Sequence, residues 1–390
     1  MWGWTQDANG ELTLDSGEIY LTPSEAQRIG RISFPASPME PYPGSRVMTK
    51  LVVVTEFPGK TDLVTGKLLS GETGRIFWDI CSQAGIQPSD LEIIPVLTQR
   101  PGSGKIEEFC LNKKEAESQS QGLFGKPYSR GYIKSGKYLA PAKLPQVEAC
   151  LSRIRELKPN LCLCLGSFST WALMDTCKFT AIRGTCMEST LVPGLKVLPT
   201  YHPVTIIRDY SQKVIAGADL LKAAREMEFP EINRPKREVW IPETKEDLAE
   251  CRKLLNERSR LTLDIETKDG QITCVGFGIS PTLSITIPFT DSRKEDWNYW
   301  SFLDELSAWA LVRDICQNPS IEKVLQNGVY DIQYLWRVMN IKTLGFRDDT
   351  MIMHHCLYEE LPKSLGFMGS IYTNEASWKL MRRFEEKDLK

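Results

Sequence analysis

Residues 261–267 carry two carboxylates, Asp264 and Glu266, within a run of alternating apolar and polar side chains. The alternation predicts a strand with one buried face, and residues two apart on a strand point to the same side of the sheet. Two neighbouring negative charges are unfavourable unless a cation joins them, and carboxylate oxygens are ligands that Mg²⁺ and Mn²⁺ prefer. We therefore predict that this strand binds a divalent cation in a nuclease.

Two loops in the first half of the chain form a second candidate site. Buried strands are predicted at residues 51–55 and 196–200, and the loops 56–62 and 201–203 follow them. Sites in parallel α/β sheets lie at the carboxyl ends of strands. Both loops therefore qualify as site positions.

The whole chain has the composition of an ordinary globular protein. At 390 residues it is long enough for two domains, and 42% of its residues are hydrophobic and 25% charged. Its 48 basic and 50 acidic residues give a net charge of −2, so any surface that binds nucleic acid must be local. The 11 cysteines form no CxxC pair, and no signal peptide or membrane span is evident. These features predict a cytoplasmic protein with reduced thiols and no membrane partner.

Alternating strands and helices predict an α/β fold for residues 47–230, a three-layer sandwich around a parallel sheet. Residues 1–46 are predicted to form an extended arm, and residues 231–242 a linker rich in proline. Residues 102–141 contain few apolar anchors and are predicted to form a surface insertion. Ser167 is predicted to cap a helix of this domain.

The second domain is predicted to span residues 243–390. Thr244 is predicted to cap its first helix, and residues 268–270 carry the signal of a tight hairpin. A tryptophan-rich helix is predicted over residues 296–317. Three strands, a helix, a strand and a helix follow in the order of a ribonuclease-H-like fold with a mixed sheet, by analogy of pattern.

Four segments of the first half carry motifs: Thr55-Glu56-Phe57-Pro58-Gly59, residues 66–74, Ile182-Arg183-Gly184 and residues 200–208. In these segments the chain resembles the uracil-DNA glycosylase superfamily, nearest to its iron–sulfur bacterial and archaeal branches. The resemblance implies a glycosylase-like pocket that contains Glu56, Pro58, Gly59 and His202. It also implies that Glu56 and His202 would activate water and steady a departing base.

Three positions depart from the pattern of that family. Pro95 stands where the family has the Asn that reads the uracil edge, and proline offers no side-chain donor. Leu69 stands where the family has the Phe that stacks on the flipped base. Gln99 replaces a cluster cysteine and only Cys150 fits, so no iron–sulfur cluster is expected. These departures predict a degenerate glycosylase-like domain.

The second half carries three further motifs, at residues 264–267, 326–331 and 349–365. They resemble the proofreading 3′–5′ exonuclease domain of family A DNA polymerases, especially that of phage-type members. The resemblance implies phosphodiester hydrolysis with two divalent cations, Mg²⁺ or Mn²⁺. Asp264 would bridge the two ions, Glu266 would bind one of them and orient the water, and Asp331 would bind the second.

We also predict roles for four residues near these acids. Asn327 and Thr267 are expected to contact the substrate, and Asn327 also touches the chain. Tyr330 is assigned to packing in the core. Asp349 is predicted to cap the helix that follows it.

The third motif of that exonuclease family, Tyr-x-x-x-Asp, has no full match. Phe384 and Asp388 have the right spacing, but phenylalanine lacks the hydroxyl group. The exonuclease domain is therefore expected to be incomplete at its carboxyl end. We predict that the chain is the amino-terminal part of a phage-type family A DNA polymerase. It would act on single-stranded 3′ ends of DNA in a phage or bacterial host cytoplasm, with a separate polymerase domain or chain as a partner.

Three other functions stay open. The chain would be a free-standing nuclease if Asp388 supplied the last acid. It would be a base-excision repair protein if the first domain were an active uracil-DNA glycosylase. It would be a non-catalytic DNA-binding module if both domains only held strand ends.

Overall fold

The computed structural model describes residues 49–375 and two short antiparallel strands near the amino terminus, β1 (Trp4–Gln6) and β2 (Leu12–Leu14). The described residues divide into two compact units. The first unit contains residues 49–233 and 366–375, and the second contains β1, β2 and residues 234–365. Apart from β1 and β2, the predicted arm at residues 1–46 lies outside the described residues, and so do Phe384 and Asp388.

Residues 49–233 alternate strands with helices. The elements are β3 (Leu51–Thr55), α1 (Lys60–Thr65), α2 (Glu72–Gln83), β4 (Leu91–Pro95), β5 (Cys110–Leu111), α3 (Lys113–Phe124), β6 (Tyr138–Leu139), α4 (Leu144–Leu157), β7 (Leu161–Leu165), α5 (Ser167–Met174), α6 (Phe179–Ile182), β8 (Met187–Glu188), β9 (Lys196–Thr200), α7 (Pro203–Arg208) and α8 (Gln212–Glu226). The main sheet has the order β4-β3-β7-β9-β8, and only β8 runs antiparallel to its neighbour. This sheet is the parallel sheet that the sequence predicts.

Both faces of this sheet are covered, because alternate residues of β3 and β7 belong to two different cores. Val52 and Cys162 pack with Phe168 of α5 on one face. Leu51 and Leu163 are part of the core on the other face, which also includes Phe77 of α2. Strands buried on both faces are expected to be continuously apolar, as the sequences of β3 and β7 are. The predicted three-layer sandwich is confirmed.

Two local predictions in the first unit differ from the structure. Gly166, not Ser167, is the residue that precedes the first turn of α5, and Ser167 is the first helical residue. The predicted insertion at residues 102–141 contains the full helix α3 and the short ladder of β5 and β6. Asn112 and Glu115 form a capping box at the start of α3, so the sequence did carry a helix signal there.

The second unit is built on a six-stranded mixed sheet. Its elements are β10 (Glu238–Trp240), α9 (Lys245–Asn256), β11 (Arg260–Lys268), β12 (Gln271–Gly278), β13 (Leu283–Pro288), α10 (Phe302–Gln317), β14 (Glu322–Leu325), α11 (Val329–Met339), β15 (Phe346–Asp349) and α12 (Thr350–Leu357). The strand order is β10-β13-β12-β11-β14-β15. The β11–β12 and β12–β13 pairs are antiparallel and the other three are parallel. The mixed sheet confirms the predicted fold class, and its edge strand β10 falls within residues 231–242.

The central strand β11 shows the predicted alternation. Leu261, Leu263 and Ile265 are buried in the core of the second unit, whereas Asp264 and Glu266 are exposed. At its end, the backbone of residues 269 and 270 has positive φ values of 50° and 81°, which is the geometry of a tight hairpin turn. The alternation therefore aims both carboxylates away from the core.

The two helices that flank this sheet begin at side-chain caps. Thr244 accepts a hydrogen bond from the Asp247 backbone N–H and caps α9, as predicted. Helix α10 begins at residue 302, six residues later than predicted, because Ser301 caps it and residues 291–297 form a hydrogen-bonded loop. Trp297 in that loop has a φ of 59°, which is incompatible with a helix.

The last described helix, α13 (Leu365–Tyr372), leads into a segment held by buried cations of the first unit. The Lys222 Nζ atom donates hydrogen bonds to the backbone oxygens of Ser370 at 2.8 Å and Thr373 at 2.7 Å. The Arg183 guanidinium donates to the Ser370 hydroxyl and also binds Asp219. Residues 366–375 thus pack with the first unit, although they follow the second unit in the chain. Of the described helices, none is long and apolar enough to cross a membrane.

Candidate functional sites

The three acids predicted to bind metal belong to one strand and one helix of the second unit. Asp264 and Glu266 are exposed on β11, and Asp331 lies in the first turn of α11. The Ile265 backbone N–H, between the first two acids, donates a hydrogen bond of 2.9 Å to Asp331 Oδ1. This bond holds the Asp331 carboxylate against the segment of β11 that carries the other two acids.

Asp331 is only 4% exposed, and this burial alters its acidity. Burial raises the pKa of Asp331 to about 6, and the negative charge of Asp264 raises it further against the hydrogen bond from Ile265, which lowers it. A bound cation would offset both the burial and the repulsion between the two carboxylates. The burial of Asp331 and its repulsion from Asp264 therefore favour a positive partner.

Carboxylate oxygens suit a divalent cation, so the chemistry of the three side chains fits the predicted metal. Within residues 49–375, however, no group of three or more His, Cys, Asp or Glu side chains is arranged closely enough to hold an ion. Asp264 and Glu266 are exposed, and an exposed side chain can turn without disturbing the core. Ion binding would therefore require a rearrangement of these side chains.

The prediction that Tyr330 packs in the core is wrong. Its side chain is 47% exposed, and its hydroxyl lies 2.7 Å from the Thr267 hydroxyl. The start of α11 lies beside the end of β11, which places the two hydroxyls next to the acids. The position of Tyr330 immediately before Asp331 was the only sequence signal for this arrangement.

Asp349 caps α12, as predicted, by accepting a hydrogen bond of 2.8 Å from the Met351 backbone N–H. It also accepts hydrogen bonds from the backbone N–H groups of Asn327 and Gly328, at 3.0 and 2.8 Å. Asn327 has a left-handed φ of 58°, so Asp349 fixes the strained turn that leads into α11. The loop that presents Asp331 is thereby held in place.

The first unit brings Glu56 and His202 together at the carboxyl ends of β3 and β9. Gly166, with a φ of 89°, lies between them, and a Cβ atom there would stand 3.0 Å from Glu56 Oε1 and 3.1 Å from His202 Cβ. The Nδ1 atom of His202 accepts a hydrogen bond of 3.1 Å from the Val204 backbone N–H. This bond leaves the proton of the neutral ring on Nε2, which lies 3.4 Å from the Thr55 hydroxyl.

Burial changes the acidity of both groups in opposite senses. It raises the pKa of Glu56 to about 7, against a lowering hydrogen bond from the Phe168 backbone. It lowers the pKa of His202 to about 4, against the raising effect of the Asp62 charge. Near neutral pH the site therefore contains a neutral histidine and a glutamate that is partly protonated.

The carboxylate of Asp62, for which the sequence predicts no role, organises the loop of Pro58 and Gly59. Asp62 accepts hydrogen bonds from the Gly59 backbone N–H at 2.8 Å and from the Ser70 backbone N–H and hydroxyl at 2.9 and 2.8 Å. Burial alone would raise the pKa of Asp62, but these hydrogen bonds outweigh it and lower the pKa. The Pro58 carbonyl accepts a hydrogen bond from Arg100. The spacing Gly-x-x-Asp at the start of α1 was the signal for this cap.

The two substituted positions of the pocket provide no contact to a base. Leu69 is buried with Leu51 and Phe77 in the core of the first unit, and its φ is 51°. Pro95 ends β4 beside Thr55 and has no polar side-chain atom. The structure thus provides neither a stacking ring at Leu69 nor a hydrogen-bonding group at Pro95.

We expect the pH dependence of stability to change in opposite directions when Glu56 and His202 are replaced. A glutamate whose pKa rises on folding loses stability as pH increases from about 4.5 to about 7, because the folded state binds more protons there. A histidine whose pKa falls on folding gains stability as pH increases from about 4 to about 6.5. The two effects oppose each other in the unaltered protein.

Urea unfolding across this pH range measures the effect. Relative to the unaltered protein, Glu56→Gln should become more stable as pH increases, and His202→Asn should become less stable. Asparagine keeps the helix-capping function of His202 at α7. Parallel pH profiles for all three proteins would contradict the shifts.

The first unit is similar in sequence to known proteins. Residues 43–227 match the profile of the uracil DNA glycosylase superfamily. A type-4 uracil-DNA glycosylase from Thermotoga maritima is 24% identical over 179 residues, which are 45% of this chain and 76% of that enzyme. Residues 43–227 are thus similar to members of the uracil DNA glycosylase superfamily. The glycosylase-like pocket around Glu56 and His202 lies within the matched residues.

The chain is also similar to solved structures of exonucleases. Escherichia coli RNase D, an exoribonuclease, is 19% identical with a TM-score of 0.25, and the match covers 33% of this chain and 31% of that one. The Trypanosoma brucei RNase D complex with GMP is 18% identical with a TM-score of 0.24, covering 30% of this chain and 34% of that one. The chain thus spans about a third of the length of each of these structures.

Proposed function

We propose that the chain is a DNA-processing protein whose second unit removes nucleotides from single-stranded 3′ ends. The observation that carries the proposal is the hydrogen bond between the Ile265 backbone and Asp331, which holds three acids from two elements at one strand. Asp264, Glu266 and Asp331 would hold two divalent cations, Mg²⁺ or Mn²⁺. These ions, when bound, supply an activated water and stabilise the charge on the phosphate and the leaving 3′ oxygen.

The residues around the acids would position the strand end. The hydroxyls of Thr267 and Tyr330, paired at 2.7 Å, offer a donor beside the acids for a phosphate or sugar oxygen. Asn327 is exposed in the turn that Asp349 fixes, so its amide is available to the substrate. The activity would be of the proofreading type, in support of a polymerase domain or chain in a phage or bacterial host cytoplasm.

In the first unit, we propose a glycosylase-like domain that holds DNA without excising uracil. Leu69 and Pro95 would give a flipped uracil neither a stacking ring nor an edge contact, and a lost polar contact of this kind is hard to replace. No iron–sulfur cluster is part of the proposal, because Cys150 alone matches a cluster position.

Digestion of a 5′-labelled single strand tests the exonuclease. With Mn²⁺ present, we expect products that shorten from the 3′ end, because the cation completes the set of three acids. EDTA should stop the reaction, and a strand with a blocked 3′ end should resist it. Shortening that continues in EDTA, or none at all in Mn²⁺, would refute the proposal.

A second candidate function, excision of uracil, is favoured by one observation. Glu56, with its pKa near 7, lies beside a neutral His202, and a carboxyl with such a pKa can exchange protons at neutral pH. Incubation of a strand containing one uracil in EDTA, followed by alkali, tests this function separately, because EDTA silences the nuclease. We expect no alkali-sensitive break. A break that disappears in Glu56→Gln would establish the glycosylase instead.

A further inference from the structure

A cavity in the insertion of the first unit is unused by either site above. We call this cavity, which has a volume of about 240 Å³, the tyrosine pocket. Its lining consists of Lys113, Glu117, Tyr128, Arg130, Gly131, Tyr132 and Tyr138. Pockets for drug-sized ligands measure about 300–1,000 Å³. The tyrosine pocket therefore suits one nucleotide unit better than a larger cofactor.

Three aromatic rings form a wall of the tyrosine pocket. The Tyr128 and Tyr138 ring centroids are 5.7 Å apart and the Tyr132 and Tyr138 centroids are 6.2 Å apart, both with an edge-to-face geometry. Tyr132 is 43% exposed, so part of its ring is accessible from solvent. Aromatic faces at a cationic groove are the elements with which proteins hold unpaired bases.

The insertion is locally basic, although the whole chain has a net charge of −2. Residues 102–141 contain seven basic and four acidic side chains, a net charge of +3. Lys113 contributes a cation to the pocket with a side chain that is 69% exposed, and its Nζ atom lies 3.9 Å from the carboxylate of Glu117 in the same lining. Arg130 is fixed by Asp175 and by the backbone oxygens of residues 171 and 172. The pocket thus combines one exposed cation, Lys113, with one cation, Arg130, that is held in place by hydrogen bonds.

Tyr128 contributes its ring to the wall of the tyrosine pocket. Its hydroxyl is buried and points to the Leu139 backbone, with no hydrogen bond of normal geometry among the described residues. The polar contacts of the pocket therefore come from its other side chains.

We propose that the tyrosine pocket binds one nucleotide of a single-stranded DNA. The base lies against Tyr132, and the phosphate pairs with Lys113. The choice of DNA rests on the proposed function, whereas the base and phosphate chemistry rests on the pocket alone. Such a subsite anchors the strand through the insertion, away from the acids that would cut it.

Fluorescence anisotropy with a labelled oligothymidine tests the subsite. The full chain is used in EDTA, so that nuclease activity, whether present or absent, does not affect the measurement. We expect Tyr132→Ala to weaken binding by at least about fivefold, because stacking on an aromatic ring is lost. Tyr132→Phe keeps the ring and should bind as the unaltered protein does.

Two adjacent lysines provide a matched control for the phosphate contact. Lys113→Gln and Lys114→Gln make the same charge change at neighbouring exposed positions of α3, but only Lys113 lines the pocket. Lys113→Gln should weaken binding and reduce the slope of log affinity against log salt by about 0.7, the effect of one phosphate contact on a single strand. Lys114→Gln should leave the slope unchanged.

Three outcomes would overturn the proposal. Equal slopes for the two lysine variants would show general attraction in place of a site. Unchanged binding by Tyr132→Ala would exclude stacking. Competition by free thymidine monophosphate as strong as that by the oligonucleotide would identify a free nucleotide, not a strand, as the ligand. Each result is independent of the nuclease assay, so a failed nuclease proposal would remain distinguishable.

Discussion

The Asp264→Ala variant should lose metal-dependent shortening of a single strand by at least about a thousandfold, since a cation supplies several kcal/mol of charge stabilisation to the reaction. Asp264 is exposed on β11 while its neighbours Leu263 and Ile265 are buried, so its removal leaves no cavity in the core. The loss should therefore appear in the rate and not in the stability. Rates with Mn²⁺ and thermal unfolding, measured on the same preparation, check both parts.

Asp269→Asn is the matched control for this variant. Asp269 is an exposed acid in the hairpin turn after β11, and its φ of 50° is one that asparagine readily adopts. The control removes the same charge from the same hairpin without touching the three acids, so we expect full activity. An Asp264→Asn variant, which keeps the shape but not the charge, should be nearly as inactive as Asp264→Ala. Equal activity of the Asp264 and Asp269 variants would contradict metal binding by Asp264.

The fold could be predicted where the sequence has a local period. The alternation in residues 261–267 predicted a strand with one buried face and both acids on the other face, and the continuous apolar run of β3 predicted a buried strand. Capping residues such as Thr244 predicted where helices begin, because the capping hydrogen bond joins residues only three positions apart in the sequence. Local signals of this kind are sufficient for elements and for fold class.

Contacts between distant residues could not be predicted in this way. Lys222 reaches backbone oxygens of residues 370 and 373, about 150 positions later, and a lysine that binds carbonyl groups leaves no periodic pattern. The hydroxyl pair of Tyr330 and Thr267 is similar, since it depends on where α11 crosses the end of β11. The sequence therefore predicted the exposed positions of Asp264 and Glu266 on β11, but it did not predict the exposed position of Tyr330.

Gly74→Ala should destabilise the first unit by at least about 3 kcal/mol, since overpacking against fixed atoms is relieved only by moving the backbone. Gly74 is buried in α2, and a Cβ atom there would lie 1.8 Å from the carbonyl oxygen of Leu69 and 2.3 Å from its carbonyl carbon. Leu69 cannot easily retreat, because its side chain is in the core and its carbonyl accepts a hydrogen bond from the Trp78 indole. Thermal and urea unfolding measure the change.

Gly122→Ala provides the control within the same unit, because a Cβ atom there has no neighbour within 4 Å. Gly122 lies in α3, where alanine favours the helix by about 0.5–1 kcal/mol, so this variant should be slightly more stable than the unaltered protein. The opposite signs separate a specific clash at Leu69 from any general effect of adding a methyl group to a helix. Similar unfolding midpoints for the two variants would mean that the turn at Leu69 yields, and that the core position of Leu69 is not rigidly fixed.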